Sequence, residues 1–178
     1  VSGPLFTVGH SDRTIEAFLD LLTAAGVVSL VDVRKLPGSR SNPQFDADAL
    51  TPSLEQAGIR YRHEPALGGR RPMSKTVPPD INALWRNRSF HNYADHALGS
   101  EFAHALERLR EEGAQHATAV MCSEAVWWRC HRRIIADHVL ARGDDVVHIM
   151  AGRRVAPATL TPGALVHPDG VVSYPLPG

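Results

Sequence analysis

The chain has 178 residues, 43% of them hydrophobic and 21% charged, with nineteen Lys and Arg against nineteen Asp and Glu. It is long enough to bury a core as one α/β domain over residues 1–178, and the figures exclude a disordered segment, a two-cysteine disulfide scaffold and attraction to polyanions through net charge. No apolar run approaches the roughly 18–20 residues that span a bilayer, and Val1-Ser2-Gly3-Pro4 lacks the basic and apolar regions of a secretory leader, so a cytoplasmic protein with reduced thiols is expected.

Residues 4–8 form a short apolar run, read as the first strand, ending at Gly9-His10-Ser11-Asp12-Arg13. Thr14 then caps a helix whose apolar residues Ile15, Phe18, Leu19, Leu21 and Leu22 recur at helical spacing, with Gly26 as its stop. Residues 27–33 are the second strand, apolar on both faces as in a central parallel strand, with one acid, Asp32, and Arg34 just beyond. A turn-rich loop from Lys35 to Pro43 leads to a helix starting at Asp46 or Asp48 and stopped at Gly58. Residues 59–63 are the third strand, which runs into Glu64 and the pair Gly68-Gly69. Residues 72–80 hold three prolines and no periodicity, and read as a mobile surface loop, either a lid or a variable insertion.

Short helical turns are expected around Trp85 and Tyr93. Ser100 caps a helix with Phe102, Ala103, Leu106 and Leu109 inward and Gly113 as its stop. Residues 118–121 are the fourth strand, residues 128–142 a helix stopped at Gly143, and residues 145–150 the fifth strand. The rest is Pro-rich, with Asp169-Gly170 as a hairpin turn. This alternation predicts a Rossmann-like three-layer sandwich with a mostly parallel five-stranded sheet and a short C-terminal β-hairpin. The favoured order is 3-2-1-4-5, with the flavodoxin-like 2-1-3-4-5 as rival, and ligands bind beyond the carboxyl ends of such strands.

Those strand-end loops carry Arg13, Arg34, Lys35, Arg40, Arg70, Arg71, Arg129, Arg132, Arg133, Arg153 and Arg154, eleven of the nineteen Lys and Arg. A neutral chain that gathers cations at one rim suits a small anionic ligand, since the arginine fork holds two oxygens at once. The alternative is that they are solvated or pair with helix ends. No phosphate loop of the Gly-rich types follows the first strand, and the spacing from Cys122 to Arg129 is one residue too long for a cysteine-phosphatase loop.

Both cysteines lie in Cys122-Ser123-Glu124-Ala125-Val126-Trp127-Trp128-Arg129-Cys130-His131-Arg132-Arg133. Cys122 stands at a strand end, and Cys130 near a helix start, where the helix dipole, Arg129 and His131 would lower a thiol pKa. Either could equally be a small buried hydrophobe. In the 3-2-1-4-5 order Asp32, His10 and Cys122 fall into line, a carboxylate–histidine–thiol geometry, although Asp32 could instead pair with Arg34. Cys122, Cys130, His131 and His10 could hold a metal, but their spacing matches no standard zinc site. Trp127-Trp128 could stack on a base or pack in the core.

The motifs Thr7-Val8-Gly9-His10-Ser11, Val31-Asp32-Val33-Arg34, Asn42-Pro43-Gln44-Phe45, Leu67-Gly68-Gly69, Asn92-Tyr93-Ala94, Met121-Cys122-Ser123-Glu124 and Trp128-Arg129-Cys130-His131-Arg132, with Pro37, Ser39 and Tyr61, follow one another over residues 6–154. Their order resembles the bacterial and archaeal family called domain of unknown function 488 (DUF 488). Trp127 departs from the proline other members often carry. The resemblance implies a Rossmann-like fold and a polar site at the strand ends, and no established reaction.

The candidate catalytic residues are therefore Cys122, Glu124, Cys130, His131, His10 and Asp32, and the candidate ligand-binding residues are Ser11, Arg34, Ser39, Gly68, Gly69, Tyr93, Trp128, Arg129 and Arg132. Three functions remain open. One is an enzyme, a transferase or hydrolase, acting on a small anionic, phosphate- or nucleotide-like substrate. The second is a non-catalytic nucleotide- or nucleic-acid-binding module, and the third a metal-binding or redox-sensing protein using both cysteines. No cofactor is required and no membrane partner is expected.

Overall fold

The computed structural model of the protein describes residues 3–178, so Val1 and Ser2, which opened the leader argument, lie outside the described residues. Strands and helices alternate as β1 (Leu5–Gly9), α1 (Ile15–Ala24), β2 (Ser29–Asp32), α2 (Ala47–Gln56) and β3 (Arg60–His63). Then come α3 (Arg88–His96), α4 (Ser100–Gln115), β4 (Thr118–Cys122), α5 (Arg132–Ala141), β5 (Val146–Ile149) and β6 (Val155–Pro157). The short strands β7 (Leu165–Val166) and β8 (Val172–Ser173) form a C-terminal antiparallel hairpin turned at Asp169-Gly170.

The fold is an α/β Rossmann-like sandwich, and its sheet corrects the expected strand order. Six strands run β3-β2-β4-β1-β5-β6, all parallel except β6. β4 is inserted between β2 and β1, pairing with both, so neither 3-2-1-4-5 nor the flavodoxin-like order holds. All five β4 residues are buried, whereas β3 is Arg60-Tyr61-Arg62-His63 and lies at an edge. Apolar composition on both faces sends a strand to the sheet interior, but does not rank the interior strands. The sixth strand was hidden by Pro157, which is tolerated because β6 is the other edge.

Side chains alternate across the sheet. Val8, Leu30, Ala119 and Met121 face the core formed with Phe18 and Leu22 of α1 and Leu50 and Leu54 of α2. Val31, Val120 and Cys122 face the opposite core with Tyr93, Phe102, Leu106, Ile134 and Ile135 of α3, α4 and α5. Phe102, Ala105, Leu106 and Leu109 of α4 lie at i, i+3, i+4 and i+7 and are all buried. Burying a side chain the size of Phe102 stabilises the fold by about 1.5–3 kcal/mol.

Helix ends follow the expected chemistry in part. The Thr14 hydroxyl accepts from the Ala17 amide at 3.1 Å, as a cap should. Ser100 is not the cap of α4: Gly99 holds that position and Ser100 is the first helical residue. Gly113 does not stop α4 but sits inside it, where an added Cβ would come within 2.6 Å of Leu5 Cδ2. Its smallness lets the helix approach β1. The turns around Tyr93 are one nine-residue helix, α3, capped by Asn87, whose side chain accepts from the amides of Ser89 and Phe90. Among the described residues no helix is long and apolar enough to cross a membrane.

Candidate functional site

The chain leaves β4 at Cys122, passes through a loop and a single 3-10 turn (Trp127–Arg129), and returns at Cys130 to the start of α5. The return brings Cys130 Sγ to 2.7 Å from Cys122 Sγ, with both thiols free. Arg132 holds the loop in this shape. It is fully buried, with Nη1 donating to Thr7 Oγ1 at 3.1 Å and Nη2 to the Glu124 carbonyl at 2.8 Å. Thr7 Oγ1 in turn donates to His148 Nδ1 at 2.6 Å, and Trp127 stacks flat on His148 with ring centroids 4.4 Å apart. Gly9 is required beside this loop: a Cβ there would lie 1.8 Å from the Glu124 carbonyl oxygen. Backbone bonds from His10 to Cys122 and from Ser11 to Ser123 tie the same loop to the end of β1. Ser11 reaches its bond in the left-handed region, at φ 50°.

The two thiols are not equivalent. Burial pushes the Cys122 thiol well up, and its contact with Cys130 pushes it further. Burial would also raise Cys130, but a hydrogen bond from Cys122, the Arg132 charge and the Arg132 amide outweigh it and hold the thiol at about 7. That amide, the first of α5, donates to Cys130 Sγ at 3.5 Å. Arg132 bonds a hydroxyl and a carbonyl rather than a carboxylate, and its Nε is buried without a partner. A thiolate at Cys130 thus supplies negative charge beside a buried cation.

His131 lies on the other side of Cys130, with Nδ1 3.5 Å from Sγ. Its Nε2 donates to the Val33 carbonyl at 3.1 Å, which leaves Nδ1 as the acceptor facing the thiol. Burial lowers its pKa and keeps the ring neutral. Tyr93 packs against the ring at 4.8 Å, and a Cβ at Gly69 would lie 3.0 Å from Nδ1. The hydroxyl of Tyr93 donates to the Leu67 carbonyl at 2.7 Å, so the tyrosine positions the imidazole. A Cβ at Gly68 would lie 3.1 Å from the Pro65 carbonyl oxygen and in ordinary contact with the Lys35 backbone. The close approach made by the Gly pair is therefore to the protein's own chain.

The aligned Asp32–His10–Cys122 arrangement does not form, because β4 separates β2 from β1. The Asp32 carboxylate accepts from the Arg34 amide and guanidinium (Nη2 at 2.7 Å) and from the Tyr61 hydroxyl at 2.6 Å. It is the buried acid paired with Arg34. His10 donates from Nδ1 to the Ser11 carbonyl at 2.8 Å, stacks on Phe45 and turns Nε2 toward Arg34 Nη1 at 3.4 Å. Burial lowers its pKa, consistent with a neutral ring. The metal set Cys122, Cys130, His131 and His10 is not assembled either: among the described residues no group of three or more His, Cys, Asp or Glu is arranged to hold a metal ion.

The thiol pair opens into a cavity of about 620 Å³. Of the candidate residues, His10, Arg34, Ser39, Gly69, Tyr93, Cys122, Glu124, Arg129, Cys130 and His131 line it. Asp32 and Arg132 lie beneath it, Gly68 is packed behind it, and Ser11 and the exposed Trp128 are off its wall. The wall carries Arg34, Lys35, Arg70 and Arg129, and Glu124 is its one carboxylate among the described residues. Other rim cations turn elsewhere: Arg133 packs over Trp85 and bonds Thr161, and Arg153 pairs with Asp20. Asn87, Ser89 and Phe90 at the start of α3 also line the cavity and were missed. The signal was Asn87 as a capping residue. The loop over residues 72–80 borders a separate groove beside α4 and does not cover this cavity.

A family model described as domain of unknown function DUF488 matches residues 14–139. That span contains Asp32, Arg34, both cysteines and His131, while Thr7 to Ser11 and Arg153-Arg154 lie outside it. No curated protein and no solved structure matches the chain. With most of its length, including the loop that joins the two thiols, matched by that model, the chain belongs to the DUF488 family.

Proposed function

We propose that this protein is an enzyme acting on a small anionic substrate, with the Cys130 thiolate as nucleophile. The observation that carries the reading is the thiol pair. Cys130 is held near neutral pKa at the floor of a cavity whose wall has four cations and one carboxylate. A nucleophile must be deprotonated at working pH, and Cys130 is the thiol that meets that need. Cys122 stabilises the thiolate by donating to it, and His131 Nδ1 is placed to take a proton from Cys130. Arg129, Arg70 and Lys35 attract the anion, while Arg34 is largely neutralised by Asp32. The cavity volume is in the range that takes a small ligand or nucleotide. A near-neutral thiolate works in a reducing compartment, so the cytoplasm is the proposed location.

The nucleic-acid-binding alternative is less well supported, because Trp127 is committed to His148 and only Trp128 is left for stacking on a base. The test is alkylation of native protein at neutral pH, followed by peptide mass mapping. Iodoacetate should modify Cys130 first. The rate relative to neutral iodoacetamide should exceed that of a free thiol and fall when Arg129 and Arg70 are replaced by Ala. Labelling of Cys122 first, or of neither thiol, would refute the assignment.

A further inference from the structure

We propose that the substrate class is an anionic molecule carrying a sulfur–sulfur bond, and that Cys122 is the thiol that completes its reduction. This rests on Cys130 being the nucleophile and adds what the second thiol is for. A cysteine that attacks carbon or phosphorus needs a base and an oxyanion site, not another cysteine. Here the two sulfurs are 2.7 Å apart, both face the cavity, and a covalent bond of roughly 2 Å is within reach of a small side-chain rotation. The second thiol is also clamped in place. Cys122 is the last residue of a central strand, and the carbonyl of Glu124 above it is pinned by Arg132 and by Gly9.

The step balances. The Cys130 thiolate attacks one sulfur of RS–SR, the S–S bond breaks and RS⁻ leaves, giving a mixed disulfide on Cys130. Cys122 passes its proton to that departing thiolate and attacks the Cys130 sulfur. The second RS⁻ then leaves. The protein pair loses two electrons and becomes a Cys122–Cys130 disulfide, and the substrate gains them as one thiol and one thiolate. The cationic wall selects substrates with carboxylate or phosphate groups and favours departure of an anionic product.

The experiment uses the reduced full chain, dithiobis-nitrobenzoate (a disulfide with two carboxylates) and dithiodipyridine, its neutral counterpart. Wild-type protein should release about two equivalents of coloured thiol per chain, and its mass should fall by two hydrogens with no adduct. Cys122→Ser should release about one equivalent and keep the reagent attached at Cys130. Replacing Lys35, Arg70 and Arg129 by Ala should slow the anionic reagent by on the order of tenfold and leave the neutral one unchanged. A wild-type chain that stops at one equivalent with a stable Cys130 adduct overturns the role of Cys122 while leaving the nucleophile intact. A Cys130 that reacts with neither reagent overturns both readings. Equal effects of the charge replacements on the two reagents remove the anionic substrate class.

Discussion

Replacing Cys122 by alanine tests how Cys130 is kept ionised. The thiol of Cys122 donates to Cys130 across 2.7 Å, with both residues buried. A hydrogen bond to a charged acceptor contributes about 1.5–3 kcal/mol, and one pKa unit is about 1.4 kcal/mol. Losing it should therefore raise Cys130 by about 1–2 units from its value of about 7. The thiolate fraction at pH 7 then falls from about one half to roughly 1–10%. Cys122→Ser keeps a donor on the same atom position and should leave the midpoint near that of the native protein. The assay is the pH dependence of ultraviolet thiolate absorbance, checked by the iodoacetamide rate against pH, with a urea titration to show that each variant is folded. An unmoved midpoint in Cys122→Ala would refute the claim that one thiol stabilises the other.

Gly9→Ala forces a methyl against the Glu124 carbonyl oxygen. Unfolding stability should fall by about 1–3 kcal/mol, read as a lower urea midpoint, and the Cys130 midpoint should change because the same loop is displaced. Asp32→Asn leaves the buried Arg34 guanidinium without its anion. A loss of about 3–5 kcal/mol in chemical denaturation is expected, and a fully stable variant would contradict the pairing. His138 is fully buried on α5 and its pKa is lowered to about 3, first by burial and then by Arg142. The unfolded chain therefore binds a proton that the folded chain refuses, and stability falls as pH drops from 6.5 toward about 3. His138→Leu should reduce the acid-limb slope of stability against pH by about one proton, and an unchanged slope would contradict the assignment.

The alternation of strand and helix was legible because each segment carried its own period and caps, as at Thr14 and at the apolar stripe of α4. The polar residues at the strand ends were legible too, and ten of the candidate residues line one cavity there. What was not legible depends on contacts between distant segments. Nothing local in residues 118–122 says that they lie between β1 and β2. From that one uncertainty came the mistaken alignment of Asp32, His10 and Cys122. The contact between the thiols was equally hidden, because it depends on Arg132 reaching back to Thr7 and on Gly9 admitting the Glu124 carbonyl. Arg132 was read as a surface ligand for anions. Arg132 is in fact buried, on a helix whose residues Ile134 to Val139 are buried all round, so no exposed face of α5 marked it as inside or outside.

The insertion of β4 also orders the birth of the site. Its partner residues on β1 are about 110 positions away in sequence, as at Thr7 and Val120, and those on β2 about 90. Contacts of such separation are closed late, since the intervening chain must first lose its freedom. During synthesis β1, β2 and β3 leave the ribosome well before β4, and the sheet cannot acquire its centre until residue 122 has emerged. Cys122 arrives with the strand that joins β1 to β2, and Cys130 follows it by eight residues. The joining of β1 to β2 and the meeting of the two thiols are thus one event, with β5 and β6 still to be added at the edge of the sheet.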